Sequence, residues 1–494
     1  MSATQAAAQA FRRDFTTSAY LEYSKYEARK MRYAILQAFF ENTAYDAAHK
    51  WAIKYKTDYG LYKFTRNIYN PAYRIATMYR SYVYAGALDP EAGDGTTAPS
   101  CMPIVADRED TRKALAALWK ASNWQINKGI IPQMGAALGD VGLMVVDDVE
   151  RKKVYLQRLN PGDLKSAVLD PFGNVKAYEI SREIVDENGQ KYQYGETARR
   201  GNGQDVIYTT YKDEREYAYG GDGAFSWTEP YGFIPLVLIK HNDVGMEWGW
   251  SEIHPALSKI REVDDLASKV SDQVRKMVDA PWLFTGTTKQ DTTASSQAAD
   301  GQPPDQRERQ NVPVLYAKDP NARATPLVAN LDIPAALQHI TGIIEELERE
   351  YPELQMDIWN TASDPSGTAL EKARQRVEAK ILERRVAYDD GIKRAMQMAI
   401  AIGGFREYEG YKGFGLESYA KGDLDFRIGD RPVFKLTTRE KLEIAQMKKS
   451  IGVPEEQLQR EVDYTEEQIR DWESFPSVQA KRAISQMGLG AVGK

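Results

Sequence analysis

Between Ile253 and Asp279 the apolar residues recur at alternating spacings of three and four: Ile253, Ala256, Ile260, Val263, Ala267, Val270, Val274 and Met277. Side chains in that rhythm fall on one face of a helix and make a heptad seam for packing against other helices. Glu262, Asp265, Lys269, Asp272, Lys276 and Asp279 keep the same rhythm two residues out of step, which places them roughly 200° around the helix from the seam. The pattern predicts a helix of about 40 Å, apolar on one face and of mixed charge on the other, stopped by Ala280-Pro281. A second stripe, Ile333, Leu337, Ile340, Ile344 and Leu347, predicts a partner helix with Asp332 as its cap and Tyr351-Pro352 as its stop. Between the two lies Thr287–Asn311, a run of Thr, Ala, Ser, Gln, Asp, Gly and Pro. It has too little apolar surface to order by itself, and the short strand-like pieces Trp282–Phe284 and Val312–Tyr316 flank it.

The remaining periodicities divide into helix, strand and helix. Residues 13–86 read as helical, with Asn70 capping and Pro71 opening a helix over Ala72–Tyr84. Ala87–Pro103 reads as a loop, and Arg112–Asn127 as an amphipathic helix with Leu115, Leu118 and Trp119 on one face. Residues 134–240 alternate like an antiparallel meander: Val141–Val146, Val154–Leu159, Ala167–Leu169, Val175–Ile180, Val206–Tyr211 and Leu236–Ile239, with turns at Asn160-Pro161-Gly162, Asp170–Asn174 and Asp186–Gly189. Pro352–Gly367 reads as a loop and Gly367–Ile402 as a very long helix closed by Gly403-Gly404. Strands over Leu424–Ile428 and Val433–Leu436, then helices over Thr437–Ser450, Pro454–Val462 and Thr465–Trp472, complete an α+β chain.

The chain of 494 residues is long enough for two to four structural regions. No apolar stretch approaches the ~20 residues that cross a bilayer, and no apolar segment follows the N-terminal charges as in a secretory signal. The single cysteine, Cys101, forbids an intramolecular disulfide and fits a reducing compartment such as the cytoplasm. Net charge is −6, whereas a protein gripping DNA phosphates carries a basic face; a DNA contact in this chain would let the duplex slide. The 29 tyrosines suit half-buried interfaces or a tyrosine-rich domain surface equally.

Catalytic chemistry needs reactive groups that converge. His49, His241, His254 and His339 are scattered without metal-ligand spacing, and one cysteine cannot build a thiolate zinc site. HExxH and GxSxG are absent. Gly488–Lys494 matches phosphate-loop spacing but ends at Lys494, without the Ser or Thr and the helix that such a loop needs. Glu345, Glu346, Glu348 and Glu350 read as a solvated helix face or a ring interface rather than a metal or acid–base site, and Asp147-Asp148 as the polar turn of a hairpin. No catalytic, cofactor or metal site is expected.

The order of parts is similar to that of the portal protein family of long-tailed double-stranded DNA bacteriophages. The likeness runs over about residues 60–440 and is carried by short stretches. They are Asn70-Pro71…Arg74 with Tyr79–Gly86, Gly135–Val146 with Val154–Pro161, Asp170–Tyr178, Tyr231–Leu236, Gly249-Trp250-Ser251-Glu252-Ile253, Ser366-Gly367-Thr368-Ala369-Leu370 and Arg385…Gly391…Arg394-Ala395. The resemblance implies a portal-like fold: an antiparallel-strand wing (residues 1–250), stem helix 1 (251–281), a small α/β clip (282–332), stem helix 2 (333–351), a tunnel loop (352–366), a long wing helix with strands (367–436) and a helical crown (437–494). It also implies a homo-oligomeric ring of about twelve subunits at one capsid vertex, in contact with the major capsid protein. The clip would face the terminase large subunit during packaging and the head–tail adaptor afterwards. Double-stranded DNA would pass through without sequence-specific contact, and no membrane partner is expected. Gln355, Met356, Ile358, Trp359 and Asn360 become candidates to narrow the bore. Glu262, Asp265, Lys269, Asp272, Lys276 and Asp279 become candidates to face the channel, with Lys269 and Lys276 relieving repulsion locally. The particle would assemble in the host cytoplasm, the chain ending in the virion. The rival readings are another virion head–tail connector, told apart by assembly stoichiometry, and a packaging nuclease or NTPase, told apart by metal-dependent DNA cleavage.

Overall fold

The computed structural model describes residues 25–46, 65–89, 100–186, 188–201, 203–218, 223–278, 282–285, 323–326, 332–359, 367–434, 438–452 and 458. At 275–278, 282–285, 323–326, 356–359, 367–373 and 438–441 it describes the backbone course alone. In chain order the helices and strands are α1 (Tyr26–Phe40), α2 (Pro71–Tyr82), β1 (Ile104–Ala106), α3 (Glu109–Ala121), α4 (Trp124–Leu138), β2 (Asp140–Asp148), β3 (Lys153–Leu159), β4 (Leu164–Leu169), β5 (Val175–Val185), β6 (Lys191–Arg200) and β7 (Val206–Lys212). They continue with β8 (Arg215–Glu216), β9 (Ser226–Glu229), β10 (Leu236–Lys240), α5 (Leu257–Val278), β11 (Trp282–Thr285), β12 (Arg323–Pro326), α6 (Ile333–Glu350), α7 (Pro352–Trp359), α8 (Gly367–Phe405), α9 (Leu416–Lys421), β13 (Phe426–Ile428) and α10 (Thr438–Ser450). The chain is α+β, and every strand pairing is antiparallel. It divides into two compact units. The larger takes the described residues up to 46, those in 70–258 and those from 347 onward; the smaller takes 65–69 and those in 259–346.

In the larger unit, α8 packs on the three-stranded sheet β10-β2-β3. Gly391 permits the close approach, since a Cβ there would lie 2.6 Å from Ile239 Cγ1. The sheet β4-β5-β6-β7-β8, with β9 on β7, is an antiparallel meander; β4, β5 and β7 are expected from the alternation, β6, β8 and β9 are not, and the expected strands β2, β3 and β10 form a sheet of their own. Two of its hairpins share one turn chemistry. Asp170 accepts from the amides of Phe172 and Asn174, and Asp186 from those of Asn188 and Gln190, while Gly173 (φ 81°) and Gly189 (φ 77°) supply the left-handed residue. Asn70 caps α2 as expected, accepting from Tyr73 N at 3.3 Å.

Several boundaries differ from the sequence expectation. The helix expected over Arg112–Asn127 is two helices, broken at Asn123, whose φ of 47° only Gly, Asn and Asp adopt readily. The region expected to be strand-like from 134 is helical to Leu138 and turns into β2 at Gly139, with φ 102°. Helix α5 starts at Leu257: Ile253 precedes it, and His254–Ala256, which contains Pro255, forms a single tighter turn. Tyr351-Pro352 ends α6 but also starts α7, because proline at the first helical position lacks only an amide that has no partner there anyway. Pro352–Trp359 is therefore helix and not loop. Gly403 and Gly404 lie inside α8, where a Cβ would meet the Tyr411 ring at 2.6 Å and the Phe414 carbonyl oxygen at 2.3 Å; they allow contact rather than ending the helix. Phe426–Ile428 pairs with β1, and Val433 and Phe434 are not strand. In the smaller unit the partner of β11 is Arg323–Pro326. The expected elements at 312–316, 454–462 apart from Leu458, and 465–472, the run 287–311, His49 and the 488–494 stretch lie outside the described residues.

Candidate functional site

The smaller unit is built around α5. Along its seam, cover declines from the N-terminal end: Ile253 and Ala256, just before it, and Ile260 and Val263 are buried, Ala267 and Val270 are half-buried, and Val274 is 41% exposed. The side chain of Met277 lies outside the described set. On α6 the stripe is covered at Ile340 but open at Leu337, 50% exposed.

The stripe expected to face a channel is partly used by the chain itself. Residues 65–69 lie along α5 as a strap. Arg66 donates to Asp272 Oδ1 at 2.8 Å and to the Ser268 carbonyl at 2.9 Å, and its amide donates to Ser268 Oγ at 2.9 Å. The amides of Ile68 and Tyr69 donate to Asp264 Oδ1 at 3.0 and 2.8 Å, and Thr65 Oγ1 donates to Asp265 Oδ1 at 3.0 Å. Asp272 is thus buried and paired rather than channel-facing, and Asp265 is shared between Thr65 and Lys269. Glu262 and Lys269 remain exposed. The side chain of Lys276 and all of Asp279 lie outside the described set. The row Asp264, Ser268, Asp272, at fourfold spacing beside the seam, was the legible signal for the strap; sequence reasoning missed it because Arg66 is 206 residues from Asp272.

The tunnel candidates begin in α7, in the larger unit. Gln355 Nε2 donates to the Glu348 carbonyl at 2.9 Å; Met356, Ile358 and Trp359 are described by backbone alone, and Asn360 is outside. The start of α7 is held by a buried ionic cluster. Glu252 accepts from Arg384 Nε at 3.0 Å and Nη2 at 2.9 Å and from Lys380 at 2.9 Å, with His241 Nε2 at 3.3 Å. Lys380 also bonds Glu353, which accepts from Tyr79 OH at 2.8 Å. Tyr388 OH lies 2.7 Å from His241 Nδ1, and Tyr351 OH donates to the Glu252 carbonyl at 3.1 Å. Burial works against the Glu252 carboxylate, but the His241 ring, Lys380 and Arg384 outweigh it and hold the carboxyl well below the usual range. Complete burial lowers His241 below its ordinary value against the pull of Glu252.

The same pattern recurs elsewhere: Tyr33 OH donates to Asp140 at 2.6 Å, Tyr84 OH to Asp389 at 2.7 Å, and Tyr178 and Tyr194 OH to Glu196 at 2.6 Å each. These tyrosines are buried core residues whose hydroxyls donate to carboxylates, fully buried in Asp140 and partly exposed in Asp389 and Glu196. Asp147, in β2 and not in a turn, accepts from Tyr231, Tyr408 and Arg406, each at 2.8 Å, so its oxygens are committed. His254 is half-buried beside Trp250, and His339 is exposed. Among the described residues no group of three His, Cys, Asp or Glu side chains is placed to hold a metal, and no helix is long and apolar enough to cross a membrane.

Asp140 gives a pH prediction. Burial pushes its carboxyl from 3.8 up to about 6, despite the Tyr33 hydroxyl, the Gly249 amide at 2.7 Å and Arg32 at 3.8 Å. The folded chain therefore holds this proton more tightly than the unfolded chain, and the group adds stability as pH falls from about 6 to 3.8. Asp140→Asn should lose stability more steeply than wild type over that interval, as read from urea midpoints at its two ends; parallel curves would refute the assignment.

No protein-family model matches this sequence, and no characterised protein matches it.

Proposed function

We propose that this chain is the portal subunit of a tailed double-stranded DNA phage, about twelve copies closing into a ring at one capsid vertex, through which the genome enters and leaves. The smaller unit carries the reading. Two long helices are connected through an antiparallel strand pair, and α5 has a heptad seam that the described residues leave open at Val274, as they leave α6 open at Leu337. A helix face with heptad spacing that its own chain does not cover is suited to burial by other chains. In this reading α5 and α6 are the stem, the β11–β12 pair is part of the clip that meets terminase and then the head–tail adaptor, and the larger unit is the wing that meets the capsid. Exposed Glu262 and Lys269 face the channel. A net charge of −6 per copy keeps phosphates from sticking, so DNA slides.

Negative-stain electron microscopy of the purified chain should show closed rings with a central hole. Val274→Asp should abolish them: at an exposed position the change costs the single chain within about 0.5 kcal/mol, whereas a carboxylate inside a helix seam is strongly disfavoured. Wild-type protein that stays monomeric at every concentration, or Val274→Asp protein that still forms rings, would remove the basis of the reading.

A further inference from the structure

Two features of the larger unit are left uncovered by the described residues. The first is a knob. Phe172, at the tip of the β4–β5 hairpin, is 84% exposed, although an aromatic ring contributes its binding energy only when buried. Its turn is rigid. Asp170 accepts from Phe172 N, Asn174 N and Asn174 Nδ2, Asp170 N donates to the Asn174 carbonyl at 2.8 Å, and Arg394 of α8 donates to the Gly173 carbonyl at 3.2 Å. Lys176 is exposed on the same hairpin, where its charge helps to hold the Asp170 carboxyl low, and it has no ion pair among the described residues.

The second is a groove of about 580 Å³ between α8 and the segment after β13. Leu382 and Val386, one helical turn apart, are 46% and 71% exposed on its wall. Ile428 and Pro432 face them from the other side. The guanidinium groups at the groove are committed: Arg431 forks onto Asp389, and Arg385 donates to the carbonyls of Tyr82, Val83 and Arg431. Glu378 and Asp430, also lining it, have no ion pair among the described residues. The groove therefore offers an apolar wall with the carboxylates of Glu378, which acts on Arg385, and Asp430, and the knob offers an aromatic ring with the Lys176 ammonium, which acts on Asp170.

We propose that the Phe172 hairpin of one copy docks in the Leu382–Val386 groove of the next, with Lys176 meeting Glu378 or Asp430. Knob and groove are different patches of one chain, so the contact is heterologous, the kind that propagates head to tail and closes as a ring. The charges match in sign, and a turn held this rigidly gives up little freedom on docking. The inference rests on the ring reading and adds to it a second contact, away from the α5 seam.

The test uses the full-length chain. Phe172→Ser and Val386→Asp lie at exposed sites, so the unassembled chains should keep the wild-type unfolding midpoint, while the concentration for half assembly should rise at least about tenfold, the usual result of truncating an anchor at an interface. Mixing Phe172→Cys chains with Val386→Cys chains under oxidation should give cross-linked dimers, and neither alone should, because Cys101 is buried. Rings that assemble at wild-type concentration in both substituted chains, with no cross-link in the mixture, would overturn the docking and leave the ring reading intact. Wild-type chains that never form rings would sink the ring reading first. A half-assembly concentration raised in the variants with no cross-link in the mixture would show that another partner fills the groove, and would also overturn the proposal.

Discussion

Glu252→Ala is expected to destabilise the chain by about 3–5 kcal/mol, the usual cost of removing one partner from a buried ionic cluster. Glu252 is 7% exposed, and its loss would leave, among the described residues, Arg384 paired with the exposed Glu383 and Lys380 with Glu353. The loss should come from unpaired charge rather than from the missing methylenes. Glu252→Leu combined with Arg384→Leu should therefore recover part of it, since a neutral, packed replacement of a buried pair is often tolerated. Urea unfolding of the unassembled chain measures both; a double variant no better than the single one would assign the loss to packing. The pH dependence has a definite sign. The Glu252 carboxyl is held low when folded, so its contribution is complete above its ordinary value of 4.5 and is lost as pH falls below it. His241 is held below 6.5 when folded, so the unfolded chain takes up that proton first and stability falls as pH drops through 6.5. Both act against the chain in acid, opposite to Asp140. The cluster positions Glu353, and with it the start of α7, so weakening it should loosen the candidates that follow.

Local rhythm made α5 and the strands β4, β5 and β7 legible, because the period of the apolar residues is itself the cause of those elements. Rhythm could not show what the polar residues beside the seam do. Asp264, Ser268 and Asp272 look like a solvated row until Arg66 and the amides of Ile68 and Tyr69 are laid along them. Glu252 and Arg384 are 132 residues apart, and nothing local to either announces the other. The boundary errors have a different origin: one residue type can serve two purposes. Pro352 both stops α6 and starts α7. Gly403 and Gly404 read as a helix stop, but they are small because Tyr411 and Phe414 lie against them. The tyrosines were ambiguous for the same reason, since a phenol suits an interface and a buried carboxylate equally, and only the fold decides between them.

The stretch Gly249-Trp250-Ser251-Glu252-Ile253 shows how a short motif can be dictated by contacts, and it gives the second large effect. Ser251 Oγ lies 3.0 and 2.8 Å from the carbonyls of Ala136 and Ala137 and accepts from Ile253 N at 3.0 Å, satisfying the end of α4. Glu252 anchors the ionic cluster, and Ile253 is fully buried ahead of α5. Gly249 is where two backbones cross: a Cβ there would lie 2.3 Å from the Gly139 carbonyl oxygen and 3.0 Å from Asp140 Oδ1. Neither neighbour can retreat cheaply. The Gly139 oxygen accepts from His241 N at 2.8 Å, and Asp140 accepts from Gly249 N itself. Gly249→Ala should therefore cost about 2–4 kcal/mol, since the overlap is with backbone and a hydrogen-bonded carboxylate rather than with the end of a flexible side chain. Gly245→Ala is the matched control. Gly245 has φ 80°, but a Cβ there would meet nothing within 4 Å, so only about 1–2 kcal/mol of left-handed strain is at stake. Thermal and urea unfolding of the two variants side by side should show Gly249→Ala well below Gly245→Ala. Equal losses would mean that the corner between α4 and β2 yields at no cost, and that the glycine serves the turn alone rather than the crossing of the two chains.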